Sequence, residues 1–175
     1  ERVFGFSNLF KLDPSYSELF LTSRITDSLI IGLGSSSLTL IIGIYAGYYI
    51  SRVNFKFKRY LIISILSARM MPLVSIAIPI YFVYERINLL DTYIGIILVH
   101  TFINLPLAVL LLKSFFDEVP KQIDENAYID GASKIKILHR LVIPCAKSGM
   151  VVTFILSLIF SWTEFICALM IGQMN

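Results

Sequence analysis

Charged side chains are scarce in this chain: only 15% of its 175 residues are charged, whereas 57% are apolar. A soluble domain usually carries about 25% charged residues. The mean hydropathy of +0.78 leaves more apolar side chains than one small core can bury. We therefore expect a lipid bilayer to be the solvent of much of the chain, and the same apolar excess argues against disorder.

Residues typical of a catalytic or nucleotide-binding site are also few. The phosphate-binding pattern G-x-x-x-x-G-K-[ST] does not occur in the sequence, which excludes an ATPase domain of that type. The two histidines, His100 and His139, lie too far apart in the predicted topology to share a zinc ion, and no nucleophile–base pair is evident. We predict no catalytic residue and no metal site, which leaves a membrane-embedded enzyme as the weaker alternative.

The sequence has only two cysteines, Cys145 and Cys167, and they do not form a disulfide framework. If both lay on one helix rising about 1.5 Å per residue, they would be roughly 33 Å apart. A disulfide needs Cα atoms within about 7 Å of each other. We expect both cysteines to be small, buried, apolar residues.

Four long apolar stretches dominate the sequence, and each can cross about 30 Å of hydrocarbon as a helix. They lie near residues 27–50, 60–84, 92–116 and 148–172. The predicted fold class is therefore all-α: a polytopic bundle with four transmembrane helices in this chain.

Small residues and prolines mark particular places in these spans. Gly43 and Gly47 form a G-x-x-x-G pattern, which predicts close packing against another helix without identifying that helix. Pro72, Pro79 and Pro106 fall inside the second and third spans, where each removes a helix hydrogen bond. Each proline predicts either a static kink or a hinge beside a solute path.

The charges between the spans predict the orientation of the chain. Segment 51–59 carries four cations and no anion, segment 117–147 is rich in lysine and arginine, and segment 85–91 is net acidic. By the positive-inside rule, 51–59 and 117–147 are cytoplasmic and 85–91 is external. The alternation places residues 1–24 outside as well, as an external segment. Because the sequence starts outside and stops as the fourth span emerges, we expect one further span at each end, six in all.

The segment 117–147 has the pattern of two short helices joined by a glycine turn. Pro120 suits the first position of a helix, and Gly131 suits the left-handed conformation that ends one. Ser133 can start a second helix, which runs until Pro144 returns to the membrane. The pattern predicts a compact knob that projects from the bilayer.

This loop resembles the EAA signature of binding-protein-dependent ABC permeases. In that family, Glu-Ala-Ala is followed after three residues by Gly, and after nine more by an apolar-x-Leu-Pro ending. Glu125-Asn126-Ala127, Gly131 and Leu141-Val142-Ile143-Pro144 stand at those spacings, with Asn126 in place of alanine and Ile143 in place of leucine. Asp130-Gly131-Ala132-Ser133 matches the variant found in sugar permeases.

The resemblance covers roughly residues 25–172 and extends to maltose-type carbohydrate permeases. The blocks that carry it outside the loop are Leu89-Leu90-Asp91-Thr92, Leu105-Pro106, Phe115-Phe116 and Trp162-Thr163-Glu164-Phe165. It implies that the first loop helix is a coupling helix that docks on a separate ATPase. The residues implied in that coupling are Glu125, Ala127, Asp130, Gly131, Ala132 and Pro144.

The resemblance also implies a set of partners and a location. We expect a second permease subunit in a heterodimer, two subunits that bind ATP and Mg, and an extracytoplasmic solute-binding protein. This chain would hold no cofactor, contact no nucleic acid and lie in the plasma membrane of a prokaryote as a multi-pass protein. The implied solute is a carbohydrate; the alternatives are a small polar solute such as a glycerol phosphate, or a secondary transporter that needs no ATPase.

Four polar side chains remain at membrane depth: Arg69, His100, Asn104 and Glu164. An ionised group there costs about 2.5–3.5 kcal/mol even on the lenient insertion scale. We expect all four to face the interior of the bundle, where they either line a path for sugar hydroxyls or hydrogen-bond one helix to another. For Arg69, the expected partner is Asn104 or a group of the second permease.

The predicted orientation has a direct test in single cysteines introduced at Asn54 and Asn88. A cysteine at position 54 should react with a membrane-impermeant maleimide only from the cytoplasmic side, and one at position 88 only from the outside, because lysine and arginine set orientation. Labelling of both positions from the same side would contradict the four-span topology.

Overall fold

The computed structural model describes the backbone of residues 14–164 and the side chains of residues 25–72 and 75–164. Every regular element in that part of the chain is helical, so the predicted all-α fold is confirmed. The elements are α1 (Pro14–Arg52), α2 (Lys58–Arg69), α3 (Leu73–Arg86), α4 (Tyr93–Glu118), α5 (Lys121–Ile129), α6 (Lys134–Ile137), a π-helical turn (Leu138–Val142), α7 (Ile143–Cys145) and α8 (Lys147–Thr163).

Two of the described helices are long and apolar enough to cross a membrane: the part of α1 from Ile25 to Arg52, and α4. The segments Lys134–Cys145 and Lys147–Thr163 meet at Ala146 with a bend of 82°. If this bent pair is a single broken span, it is the third. The first and third predicted spans are thus confirmed, although α1 already begins at Pro14, within the segment predicted to be external. The rest of the fourth predicted span lies beyond the described residues, and the total of four stays a prediction.

The second predicted span is not one continuous helix. It is divided into α2 and α3 at Met70–Pro72, so the expectation of a single helix over residues 60–84 is wrong. Pro72 has an extended backbone, with φ −60° and ψ 128°, and it precedes the first residue of α3. A proline disfavours the helical conformation of the residue before it, here Met71. Pro79 and Pro106, by contrast, lie within the continuous helices α3 and α4.

The glycines of α1 identify α4 as the helix against which they pack. A Cβ atom on Gly47 would lie 3.0 Å from the backbone nitrogen of Lys113 and 3.2 Å from the carbonyl oxygen of Val109. A Cβ on Gly43 would lie 2.9 Å from Leu112 Cδ1. Only glycine lets the two backbones approach so closely, which confirms the close packing that the G-x-x-x-G pattern predicts.

The contacts also give the relative directions of the three long helices. Gly34 faces Ile97 near the start of α4 and Gly47 faces Lys113 near its end, so α1 and α4 run parallel. A Cβ on Gly149, near the start of α8, would clash with Phe115 near the end of α4, so α8 runs antiparallel to α4. These directions agree with the predicted alternation, while the side of the membrane on which each loop lies stays a prediction.

A buried apolar cluster joins the ends of α1 and α4 to the segment after α4. Its fully buried members are Leu112, Phe116, Val119, Ile137, Leu138, Val142 and Ala146. Cys145 lies beside this cluster but is exposed to the surface, so the expectation that it is buried is wrong for this chain. It lies in the short helix α7, just before the bend into α8, and no residue of α7 is buried. Cys167 lies outside the described residues.

Candidate functional site

The predicted coupling helix is α5, and it ends in a Schellman motif. The N–H of Ala132 donates to the carbonyl of Ala127 at 3.0 Å, and the N–H of Gly131 donates to the carbonyl of Tyr128 at 3.0 Å. Gly131 has φ +79°, the left-handed conformation that this motif requires and that glycine adopts without strain. Ala127 and Ala132, the two residues joined by the first of these bonds, both pack on the buried cluster. The number of residues between Ala127 and Gly131 is therefore the number that this type of helix C-terminus requires.

The helix after the turn is shorter than the sequence predicts. Ser133 caps α6 as predicted, since its hydroxyl accepts from the N–H of Lys136 at 3.4 Å. After one turn the chain passes into the π-helical turn, and Pro144 lies in α7 rather than at the end of one continuous helix. Proline lacks an N–H and its ring clashes with the carbonyl four residues earlier, which is that of Arg140. Because a π turn is wider than an α-helical turn, it tolerates both the absent N–H and the ring of Pro144.

Arg52, the last residue of α1, joins α1 to both α4 and α5. Its guanidinium donates from Nη1 to the carbonyl of Phe116 at 3.0 Å and from Nη2 to the carbonyl of Val119 at 3.1 Å. Its Nε forms an ion pair with the carboxylate of Asp124 on α5. The two side chains are only 10% and 15% exposed. The planar fork of arginine can serve these three acceptors at once, whereas a lysine ammonium cannot match that geometry.

A second set of polar contacts joins the end of α1 to the end of α4. The hydroxyl of Ser51 donates to Asp117 Oδ1 at 2.6 Å, and Lys113 Nζ lies 2.5 Å from Asp117 Oδ2. Lys58 Nζ donates to the carbonyl of Ser51 at 3.3 Å. Burial, together with the neighbouring ammonium of Lys113, lowers the pKa of Lys58 below its ordinary value. The end of α1 is thus held to the end of α4 by polar bonds on two sides.

The sequence does not predict this network. In the sequence pattern, Arg52 is only one of four cations that orient the loop, and Asp124 is only an acidic residue near a helix start. The one available signal is the position of Arg52 at the end of the first span, where a cation can bond the exposed carbonyls of a neighbouring helix.

The outward side of the knob formed by residues 120–137 carries large exposed apolar side chains among polar ones. Tyr128 is 66% exposed, Ile129 82% and Ile135 67%, and Glu125 beside them is exposed as well. Exposed apolar side chains in a group mark surfaces that contact another molecule. Residues Ile123, Ala127 and Ala132 face the opposite way and pack on the buried cluster. The knob therefore packs one face on the bundle and leaves the other exposed.

The four polar residues at membrane depth separate into two pairs. Arg69 and Glu164 both line a groove of about 890 Å³, most of whose other lining residues are apolar. Arg69 Nη1 donates to the carbonyl of Ile103 at 3.2 Å, and its guanidinium lies 4.7 Å from the ring centroid of Phe160. Asn104, one of its expected partners, is not the group that it bonds.

His100 and Asn104 lie instead between helices, where each is only 2% exposed. His100 Nδ1 is 2.7 Å from the hydroxyl of Ser161 on α8, which is 2.9 Å from that of Ser35 on α1. His100 therefore hydrogen-bonds one helix to another, which is one of the two alternatives that the sequence leaves open. Neither His100 nor Asn104 is among the residues that line the groove. A role for this pair in a solute path stays a prediction.

A polytopic helical membrane protein with a projecting helix–glycine–helix knob is the class that these features define. Residues 39–175 match the family described as "Binding-protein-dependent transport system inner membrane component". The chain therefore belongs to this family of permeases, which confirms the resemblance seen in the loop.

Three relatives illustrate the range of the family. The sulfoquinovosyl glycerol transport system permease SmoH of Agrobacterium fabrum is 31% identical over 89% of this chain and 54% of its own length. The trehalose transport system permease SugB of Mycobacterium tuberculosis is 34% identical over 85% and 54%. The osmoprotective compounds uptake permease GgtD of Synechocystis is 29% identical over 82% and 48%. The chain spans about half the length of these curated relatives.

Proposed function

We propose that this chain is a permease subunit of an ATP-driven ABC importer for a carbohydrate. The observation that carries the proposal is the Schellman turn at Gly131, which supplies a structural reason for the spacing of the EAA loop. Two of the similar proteins are named for the transport of trehalose and of sulfoquinovosyl glycerol, both built on a sugar. Energy would come from ATP and Mg bound by partner subunits.

The knob is the part that we propose to contact the ATPase. Its exposed side chains include the apolar Tyr128 and Ile129 beside the acidic Glu125 and Asp130, a mixture that suits insertion into a cleft of another protein. Ala127 and Ala132 face the bundle, so their role is to support the knob rather than to touch the partner. We propose that the knob lies in the cytoplasm and that the assembly contains two ATP-binding subunits, a second permease and an external binding protein.

The groove that contains Arg69 and Glu164 is the best candidate for the solute path. Its apolar lining with a few polar groups is typical of small-molecule sites. A glycerol phosphate is the alternative solute, and the guanidinium of Arg69 favours it. The carboxylate of Glu164 in the same groove opposes an anion, whereas a neutral polyol can bond to both groups. We therefore favour a carbohydrate.

The coupling role of the knob predicts the effect of Gly131→Val. A β-branched residue in the left-handed conformation costs about 1–2 kcal/mol, so the turn should open and the knob should tilt. Because a Cβ at this position meets nothing within 4 Å, the defect should come from the backbone alone. We expect the purified complex to lose ATPase co-purification or solute-stimulated hydrolysis, with the membrane helices intact.

Gly131→Asn is the matched control, because asparagine tolerates the left-handed conformation. It should retain most of the stimulation that Gly131→Val loses. Stoichiometric ATPase and normal stimulation in Gly131→Val would show that this loop is not the coupling element.

A role for Arg69 in the path predicts that Arg69→Leu impairs uptake without impairing insertion. An intramembrane cation is costly, so its removal should leave insertion unchanged or improved. Ser67→Ala, on the same helix, removes a hydroxyl that donates to the carbonyl of Ile63 within its own helix, and it should transport normally. Uptake of labelled sugar at equal expression is the measurement, and wild-type uptake by Arg69→Leu would exclude Arg69 from the path.

A further inference from the structure

Buried polar side chains are concentrated where α1, α4 and α8 meet. The group, which we name the polar seam, consists of Ser35, Ser36 and Thr39 from α1, His100, Thr101 and Asn104 from α4, and Thr153, Ser157 and Ser161 from α8. Each of them is 5% exposed or less. The seam lies within the helices predicted to span the membrane, so bulk water does not reach it from the surface of this chain.

Several atoms of the polar seam are paired by protein atoms. Ser35, Ser161 and His100 form a chain through the contacts described above. The hydroxyl of Thr101 donates to the carbonyl of Ile97 at 2.7 Å, and that of Thr153 donates to the carbonyl of Gly149 at 2.7 Å. The five side-chain atoms that make these bonds need no further ligand.

Four other atoms of the seam are buried and have no hydrogen-bond partner in the described part of the chain. They are Ser36 Oγ, Thr39 Oγ1, His100 Nε2 and Asn104 Oδ1. An unpaired polar group surrounded by hydrocarbon costs several kcal/mol, so such a group in a stable bundle requires a partner. A neighbouring subunit cannot provide it, because each atom is enclosed by this chain.

The four atoms lie at about the same level of the bundle. His100 and Asn104 are four residues apart on α4 and so lie on one face, with Cβ atoms about 5–6 Å apart. Ser35 contacts Thr101, and Gly43 packs on Ala108. Since α1 and α4 run parallel, Thr39, midway between Ser35 and Gly43, lies level with Asn104. The unpaired atoms of α1 and α4 therefore lie within about one to two helical turns of each other along the bundle.

We propose that the polar seam binds at least one internal water molecule, which bridges His100 Nε2 and Asn104 Oδ1 and shares the hydroxyls of Ser36 and Thr39. A buried water needs about two to four polar partners, and this group supplies four. Water suits the site because it can both donate and accept. His100 Nε2 donates or accepts according to which tautomer its bond to Ser161 selects.

A cation is a poorer fit for the same position. The buried polar residues in the described part of the chain include no carboxylate that would neutralise a positive charge. A metal ion with hard oxygen ligands would also leave a protonated Nε2 without an acceptor. A neutral ligand of the size of water satisfies the groups in either tautomer. This inference does not depend on the transported solute or on the ATPase.

X-ray radiolytic footprinting of the assembled transporter tests the proposal directly. Radiolysis of water produces hydroxyl radicals that oxidise only side chains close to their origin, so a buried residue beside bound water is oxidised despite its burial. We expect His100 to be oxidised several-fold faster than Phe116, which is 0% exposed and lies in the apolar cluster. Oxidation of His100 as slow as that of Phe116 would overturn the proposal.

Two variants locate the water within the seam. Asn104→Leu removes one of the two bridged atoms, so most of the oxidation of His100 should be lost. Leu98→Ala changes an exposed residue of α4 that does not line the groove, and it should leave His100 oxidation unchanged. Equal His100 oxidation in Asn104→Leu and in the unmodified transporter would contradict a bridge between these two residues. The readout is independent of transport and of ATP hydrolysis, so it stands apart from the proposed function.

Discussion

The guanidinium of Arg52 is the point at which the membrane helices and the projecting knob are joined. It bonds two carbonyls at the end of α4 and pairs with Asp124 on α5. A helix end leaves its last carbonyls without intrahelical partners, so a cation placed there stabilises the end and fixes the position of the next helix. Removal of one member of a buried pair typically costs about 3–5 kcal/mol, because the other is left without a partner. The ion pair with this side chain is therefore one of the contacts that orient α5.

Arg52 can reach α4 only because α1 and α4 approach closely along their lengths. Gly43 and Gly47 remove the side chains that would separate the two backbones, and Ser51 then bonds Asp117 beside the arginine. The knob is fixed in turn by its apolar face and by the left-handed turn at Gly131. The small residues of α1 thus determine where the exposed surface of the knob lies outside the membrane. A movement of α1 against α4 would move the knob as well.

The features that the sequence predicts correctly are those that depend on local chemistry. Long apolar runs define α1 and α4, and the turn at Gly131 follows from a glycine between two short helices. The break at Met70–Pro72 is not predictable in this way, because a single proline is compatible with either a kink or a break, and packing decides between them. For Arg69, His100, Asn104 and Glu164, the sequence indicates the depth but not the rotation of each helix about its axis. That rotation determines that Arg69 and Glu164 line the groove, whereas His100 and Asn104 lie buried between helices.

We propose that the knob, held by Arg52, is the surface that meets the ATPase. A photo-reactive amino acid at position 129, which is 82% exposed on α5, measures that contact in the assembled, active transporter. We expect an efficient cross-link to the ATP-binding subunit, much reduced in Arg52→Met, where α5 loses its ion pair. A transporter that couples ATP hydrolysis to uptake, yet gives no cross-link between position 129 and the ATP-binding subunit, would contradict the claim.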